Sequence, residues 1–370
     1  MSLIELTRTL IGFNTINPLG NEAAAARYIG QLLEKEGFAV DLRPFGEGRA
    51  NLIARRRPGH RPPLCFTGHL DTVPLGSQPW TRDPFAGEIE ADRLYGRGAT
   101  DMKGAVAAFL IAAIEESSAI DKGRDVLLLI TAGEETGSDG ARALMEDADI
   151  ERPQMLIVAE PTSNRALFGH KGALWLNLAF DGVTAHGSMP EKGRNAVVAA
   201  ARAVTTLAAY QFDAEPHAVL GHPTLNIGTF HGGLNTNSVP DRAEIDLDIR
   251  TVPGMSHARL QEDVRRVTGP DSTVSAIVDL PAVWTSPDCS EAELVRAATC
   301  DITGEEQNAA GATYFTDASV FTPAFDNVPT FILGPGEASM AHKTDEYVLI
   351  SRLHEAVRIY RELIRRSAIS

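Results

Sequence analysis

Several features are scarce in this 370-residue chain, and each scarcity excludes something. There are three cysteines, Cys65, Cys289 and Cys300, with no paired spacing, so no disulfide framework is expected and the thiols read as reduced. Cys65 lies in an apolar stretch and reads as a core residue. No uninterrupted apolar run reaches the roughly 18 residues of a membrane span. The N-terminal MSLIELTRTLIGFNTINPLG lacks the charged-then-apolar layout of a secretion signal, which makes a cytoplasmic protein the expectation. Basic residues are few: 34 against 49 acidic ones, a net charge of −15. A nucleic-acid partner, which needs a basic face, is therefore not expected, and neither is an anionic membrane surface. The excess acid reads first as solubility, and bound divalent cations would offset part of it. Repeats and low-complexity segments are absent. What remains, 44% hydrophobic and 22% charged, is the composition of a globular chain, and its length calls for two domains.

Hydrophobic periodicity divides the chain. Residues 22–37 carry a helical pattern stopped by Gly37; 38–43 and 50–55 read as strands, and LCFTG (64–68) as a short apolar strand. An Ala-rich helix follows Met102. DVLLLITAG (125–133) and MLIVAE (155–160) are continuous apolar runs of the kind found in a sheet covered on both faces. Strands alternating with helices predict an α/β domain with a mostly parallel sheet. The pattern then changes to half-buried strands at 174–182, 224–232, 243–251 and 272–280, with helices at 194–209 and 256–269. That β-α-β-β-α-β order predicts an inserted ferredoxin-like α+β domain. Helix 289–302, strand 328–334 and helix 349–366 return to the first domain. The expected division is 1–172 with 285–370 for the larger domain and 173–284 for the insert, with hinges near 172–174 and 283–286.

Polar residues gather where the apolar strands end. Strand 64–68 runs into His69 and Asp71, strand 125–133 into Glu134 and Glu135, and strand 155–159 into Glu160; the loop GRGATDMKG carries Asp101, and GPGEASMAHKTDE carries His342. Ligands of open α/β sheets bind at the carboxyl ends of the strands. Taken singly, each of these is an ordinary strand-end or turn residue. Jointly, five segments place acid or imidazole at one sheet edge, where Asp101, Glu134, Glu135 and Glu160 would repel one another. Two divalent cations would neutralise those four charges, and imidazole with carboxylate suits zinc. Asp71, two residues beyond His69 on an extended stretch, could accept the second ring N–H and fix the tautomer, or could simply cap the strand.

GHLDTVP, GRGATDMKGAVAAF, TAGEETGSDGA, VAEPTS and AHKTDEYV, in that order and spanning nearly the whole chain, resemble the zinc-dependent family of acetylornithine deacetylase, succinyl-diaminopimelate desuccinylase and glutamate carboxypeptidase. The resemblance implies that His69, Asp101 and Glu160 hold one zinc and that Asp101, Glu135 and His342 hold a second, with Asp101 bridging and cobalt or manganese able to replace zinc. It makes Glu134 the general base and Asp71 the orienter of His69, and it implies a cis Asp101–Met102 peptide. TAHGSMPEKGRNAV resembles the family's lid motif. His186 would then be a catalytic donor reaching an active site, commonly across a homodimer interface built by the inserted lid and dimerisation domain. HGGLNTNSVPDRAEIDLDIR resembles its substrate hairpin, with Asn237 and Arg250 at carboxylate-binding positions, and in YFTDAS, Thr316 and Asp317 match further substrate contacts. His217, His222, His257 and His354 have no such context and read as surface residues.

The activity implied is hydrolysis of a linear amide in a small N-acyl amino acid. Glu160, rather than Asp, at its position resembles the deacylase and carboxypeptidase branches, and GPG followed by AHKTDEY is most similar to the acetylornithine deacetylase branch. A desuccinylase is the second expectation and a carboxypeptidase or dipeptidase the third. A non-catalytic metal-binding scaffold would be expected to lack the base or a ligand, and this chain has Glu134 and all five ligands.

Overall fold

A computed structural model describes residues 1–56, 61–123, 125–147 and 149–367. The chain forms two compact units. The larger comprises Met1–Gly169, Trp284–Gly311 and Thr316–Ser370; the smaller comprises His170–Val283 with the short segment Ala312–Phe315.

The larger unit is α/β. Its six-stranded sheet runs Ala39–Pro44, Ala50–Arg56, Val126–Thr131, Leu64–His69, Met155–Val158 and Thr330–Ile332 across its width. The last four are mutually parallel, and Ala50–Arg56 is antiparallel to both of its neighbours. Those four parallel strands are buried along their whole length, as their unbroken apolar composition requires. Helix Gly104–Glu115 is apolar all round, and its residues 104–113 are buried, the condition for a helix inside a core. Phe66 on the central strand stacks on Phe109 of that helix and meets Tyr360 of helix Ile350–Arg366 edge-on, with ring centroids 6.0 and 5.2 Å away. The Tyr360 hydroxyl donates to the Leu333 carbonyl at 2.6 Å, so this buried phenol is satisfied.

Three features of this unit lie outside the periodicity reading. Helix Leu3–Ile11 begins with a capping box, Ser2 accepting from the Glu5 N–H while the Glu5 side chain accepts from Ser2. Helix Asp139–Asp147 follows directly on the Glu134–Glu135 turn. Ile89–Glu90, Arg93–Tyr95 and Tyr347–Leu349 form a small antiparallel ribbon that joins two stretches far apart in sequence.

The smaller unit has the strand order Thr224–Gly232, Arg242–Thr251, Gly172–Asp181, Ser272–Leu280, all antiparallel. With helices Ala196–Ala208 and His257–Thr268 this is the ferredoxin-like β-α-β-β-α-β arrangement. Alternation sets its faces. Leu174, Leu176, Leu178 and Phe180 pack with Ile245, Leu247 and Ile249 and with both helices. Trp175 and Asn177 point the other way and donate to Asp248 and Asp246. His257 is not a surface residue. It is buried, with Nε2 2.8 Å from the Thr251 hydroxyl and Nδ1 2.6 Å from Asp279, because it opens the helix that packs on this sheet. Among the described residues, no helix is long and apolar enough to cross a membrane.

Candidate metal centre

The carboxyl ends of the parallel strands carry the cluster. His69 is the last residue of its strand and is buried. Its Nδ1 lies 3.0 Å from the backbone oxygen of Asp71, which fixes the Nδ1–H tautomer and leaves Nε2 to face Asp101 Oδ1 at 3.2 Å and Glu160 Oε1 at 3.7 Å. His342 turns in from the loop after strand Thr330–Ile332, in the left-handed region at φ 64°. Its Nε2 stands 3.0 Å from Glu135 Oε1 and 3.4 Å from Asp101 Oδ2. The two oxygens of Asp101 therefore face two different imidazoles. The ligand-type atoms of His69, Asp101 and Glu160, and those of Asp101, Glu135 and His342, each fall within 4.8 Å of one another. The Asp101–Met102 peptide is cis.

Glu134 and Glu135 are delivered by a turn that needs Gly133 at φ 74°. Asn51 anchors this turn, accepting from the Ala132 N–H and donating to the Gly140 carbonyl, both at 2.9 Å. Gly140 admits no side chain, since a Cβ there would lie 2.0 Å from the Ala132 oxygen. The Asp71 carboxylate completes the turn. Its Oδ1 accepts the backbone N–H of Glu134 and its Oδ2 that of Glu135, each at 3.1 Å. Oδ2 also accepts the Asn17 side-chain amide at 2.7 Å, and Asn17 in turn accepts from Arg49. The sequence suggested that the Asp71 carboxylate would bond the His69 ring. The shorter contact to the ring is made by the Asp71 main-chain oxygen, and the carboxylate, 3.5 Å from Nδ1, is occupied with the glutamate turn.

The electrostatics of the cluster are those of crowded, buried acid. Burial and then the charge of Glu160 push Glu134 well above the ordinary carboxylate range, and burial and then Asp101 do the same to Glu160. Burial and Asp101 also raise Glu135. Asp101 goes the other way. Burial would raise it, but the hydrogen bonds from His342 and His69 hold it below its usual value. Burial would lower His69, yet the surrounding carboxylates Asp101, Asp71 and Glu160 hold it well above the ordinary imidazole range; hydrogen bonds to Asp101 and Glu135 raise His342 to about 10. Among the described residues, no lysine or arginine bonds to Asp101, Glu134, Glu135 or Glu160. The donor types of the two imidazole–carboxylate sets suit divalent cations, which would supply the missing positive charge.

Asp317 joins this cluster. It is buried, accepts the Thr131 hydroxyl at 2.6 Å, is raised by burial to about 6, and lies near enough to Glu134 and Glu160 to raise both. Its neighbour Thr316, expected as a substrate contact, is fully buried, and its hydroxyl accepts the Ala318 N–H at 3.1 Å as a turn cap at the start of helix Ala318–Ala324. The local sequence favours this role, since Thr and Asp before a short helix readily bond backbone N–H groups.

In the smaller unit, the backbone of His186 bridges to that of Ser238, and Gly187 donates to the Asn237 carbonyl at 2.7 Å, so the loops carrying His186 and Asn237 run together. The exposed His186 ring bonds the Ser188 hydroxyl at 2.7 Å. Arg250 lies near the end of its strand. Its Nε and Nη2 lie 2.8 and 3.1 Å from the Asp248 carboxylate, and its guanidinium lies 5.9 and 6.0 Å from the Trp175 and Phe315 ring centroids. One edge of the fork is thus fixed on Asp248.

Residues 65–366 match the model of peptidase family M20/M25/M40. An acetylornithine deacetylase of Proteus mirabilis is 31% identical over 94% of this chain and 92% of its own length. A protein of Staphylococcus epidermidis named probable succinyl-diaminopimelate desuccinylase is 30% identical over 98% of this chain and 96% of its own. Among solved structures, an M20 family metallo-carboxypeptidase of Sulfolobus solfataricus superposes with a TM-score of 0.84 at 21% identity, covering 99% of both chains, which extends the likeness to the whole fold. With its acid-and-imidazole cluster at the sheet edge and a family match over most of its length, the chain is a hydrolase of peptidase family M20/M25/M40.

Proposed function

We propose that the protein is a two-zinc amidohydrolase that removes the acyl group from a small N-acyl amino acid. The observation that carries this reading is the placement of Asp101, whose two oxygens face His69 and His342 and which belongs to both ligand groups. On this reading His69, Asp101 and Glu160 hold one cation and Asp101, Glu135 and His342 the other. The chemistry such a pair supplies when bound is polarisation of the amide carbonyl and activation of water.

The remaining work belongs to the chain. Glu134, buried and outside both ligand sets, accepts a proton from water as the water oxygen adds to the amide carbonyl carbon, and returns it to the amine nitrogen as the C–N bond breaks. Asp71 holds the Glu134 backbone so that this carboxylate keeps one direction. His186 is the donor to the developing oxyanion, supplied by the subunit itself or by a homodimer partner. Arg250, with Asn237, takes the substrate carboxylate through its planar guanidinium.

Similarity to both a deacetylase and a desuccinylase supports deacylation of an amino acid and gives the desuccinylase as the second reading. The deciding experiment measures amine release, with zinc added, from N-acetylornithine, N-acetylcitrulline, N-acetyl-lysine, N-succinyl-diaminopimelate and a set of dipeptides. Turnover of the acetylated amino acids at least about tenfold above the rest, abolished in Glu134→Ala, supports the proposal. A preference for the succinylated substrate selects the second reading, and a zinc-free protein without hydrolysis rejects both.

A further inference from the structure

We propose that Glu346 is a positioning residue of the metal centre, the acceptor that fixes the Gly98–Asp101 backbone and thereby the direction of the Asp101 side chain relative to His342. The functional consequence rests on the two-metal reading; the geometry stands apart from it. Glu346 is fully buried. Its Oε1 accepts the backbone N–H groups of Thr100 and Asp101 at 2.8 and 3.0 Å, and its Oε2 accepts that of Gly98 at 3.1 Å and the Arg97 guanidinium at 2.7 Å. Three consecutive-loop donors and one cation thus converge on a single carboxylate from a segment about 245 residues away.

The same segment is tied to the loop at other points. The Glu346 carbonyl accepts the Gly96 N–H at 2.9 Å, the Tyr347 carbonyl accepts the Thr100 hydroxyl at 2.6 Å, and Tyr347 pairs with Tyr95 in the small ribbon. Gly336 approaches so closely that a Cβ would lie 2.5 Å from the Thr100 oxygen. His342 stands four positions before Glu346 on this segment. The residue shared by the two ligand groups and the imidazole that completes the second are therefore carried by two loops joined by the Glu346 carboxylate and by the backbone ties around it.

Only a carboxylate suits this place. Glutamine offers one acceptor oxygen, and its amide N–H₂ would face two of the four donors, leaving buried N–H groups unpaired. Aspartate keeps both oxygens and the charge but is one methylene shorter. A plain buried Arg97–Glu346 ion pair would matter for stability alone; a positioning residue must also change how the site holds metal.

The test is metal titration of full-length protein with zinc and with cobalt, in the wild type and in Glu346→Gln. The expected result is a loss of about 10–100-fold in affinity for at least one ion, the magnitude typical of partners that orient ligands. The visible absorption of the cobalt-loaded protein should change, and kcat should fall by more than KM changes. Val264→Ala, which opens the core of the smaller unit, serves as a control with lowered Tm and should leave metal affinity and spectrum unaltered. Should Glu346→Gln not fold, Glu346→Asp is read by the same measurements. Wild-type affinity for both ions with an unchanged cobalt spectrum in the variant overturns the inference. Failure of the wild type to bind any divalent metal overturns instead the two-metal reading.

Discussion

Oδ1 of Asp71 lies 3.1 Å from the backbone nitrogen of Glu134, so a residue 63 positions earlier in the chain holds the main chain of the proposed base. The other oxygen of the same carboxylate holds Glu135, one of the proposed ligands. In Asp71→Asn one of these acceptors becomes a donor facing a donor. The expected outcome is a fall in kcat of about 10–100-fold with KM changed by less than about threefold, and a stability loss of about 1–3 kcal/mol. Steady-state kinetics and chemical denaturation of the same preparations measure both.

Glu134 carries opposite consequences for activity and for the stability of the metal-free protein. Glu134→Gln should lower kcat by about 10²–10⁴-fold while divalent-metal binding is retained, since the glutamate belongs to neither candidate ligand group. Its pKa in the folded state is raised by burial and by Glu160, so in the metal-free protein its ionisation opposes folding at any pH above the ordinary carboxylate range. Metal-free Glu134→Gln should therefore melt higher than the metal-free wild type at neutral pH. The difference should shrink as pH falls through about 4.5 and vanish below it, where the carboxyl is protonated both folded and unfolded. Equal melting temperatures at neutral pH would contradict the electrostatic account.

Metal uptake should release protons. In the metal-free protein the bonds to Asp101 and Glu135 raise His342 to about 10, so it is protonated at neutral pH and must lose that proton to become a ligand. Affinity should rise as pH rises toward that value. Calorimetric titrations in buffers of different ionisation enthalpy give the proton count directly, and a value near zero at pH 7 would refute the charged state assigned to His342.

His170 sets a separate pH dependence. It is fully buried with Nδ1 against the Lys171 carbonyl, and burial lowers it to about 4. Its folded pKa is below the ordinary value of 6.5, so the unfolded chain takes up the proton first. The stability present above 6.5 is lost as pH falls through this window, by up to about 3 kcal/mol for such a shift. His170→Gln should flatten the fall in Tm between pH 6.5 and 4, a comparison made by scanning calorimetry with chelator present to separate it from the metal centre.

The sequence by itself determined which elements form and what chemistry they carry. Short apolar runs ending in His69, Glu134–Glu135 and Glu160 read as buried strands with polar carboxyl ends, and alternation at 174–182 and 243–251 marks a sheet with one covered face. These are local properties, written in side-chain polarity at periods of two and 3.6 residues. Tertiary structure alone decided the partners. It gave the Asp71 carboxylate to a distant turn, made Thr316 a cap, buried His257 between Thr251 and Asp279, and brought Glu346 to the Asp101 loop. The physical reason is that a buried carboxylate or hydroxyl takes whichever donors packing brings within about 3 Å. For loops separated by 60 to 250 positions, that choice depends on how every intervening element is placed. The sequence thus shows that Asp101 and His342 can be ligands, and the fold decides that the Glu346 carboxylate meets the backbone of the Asp101 loop.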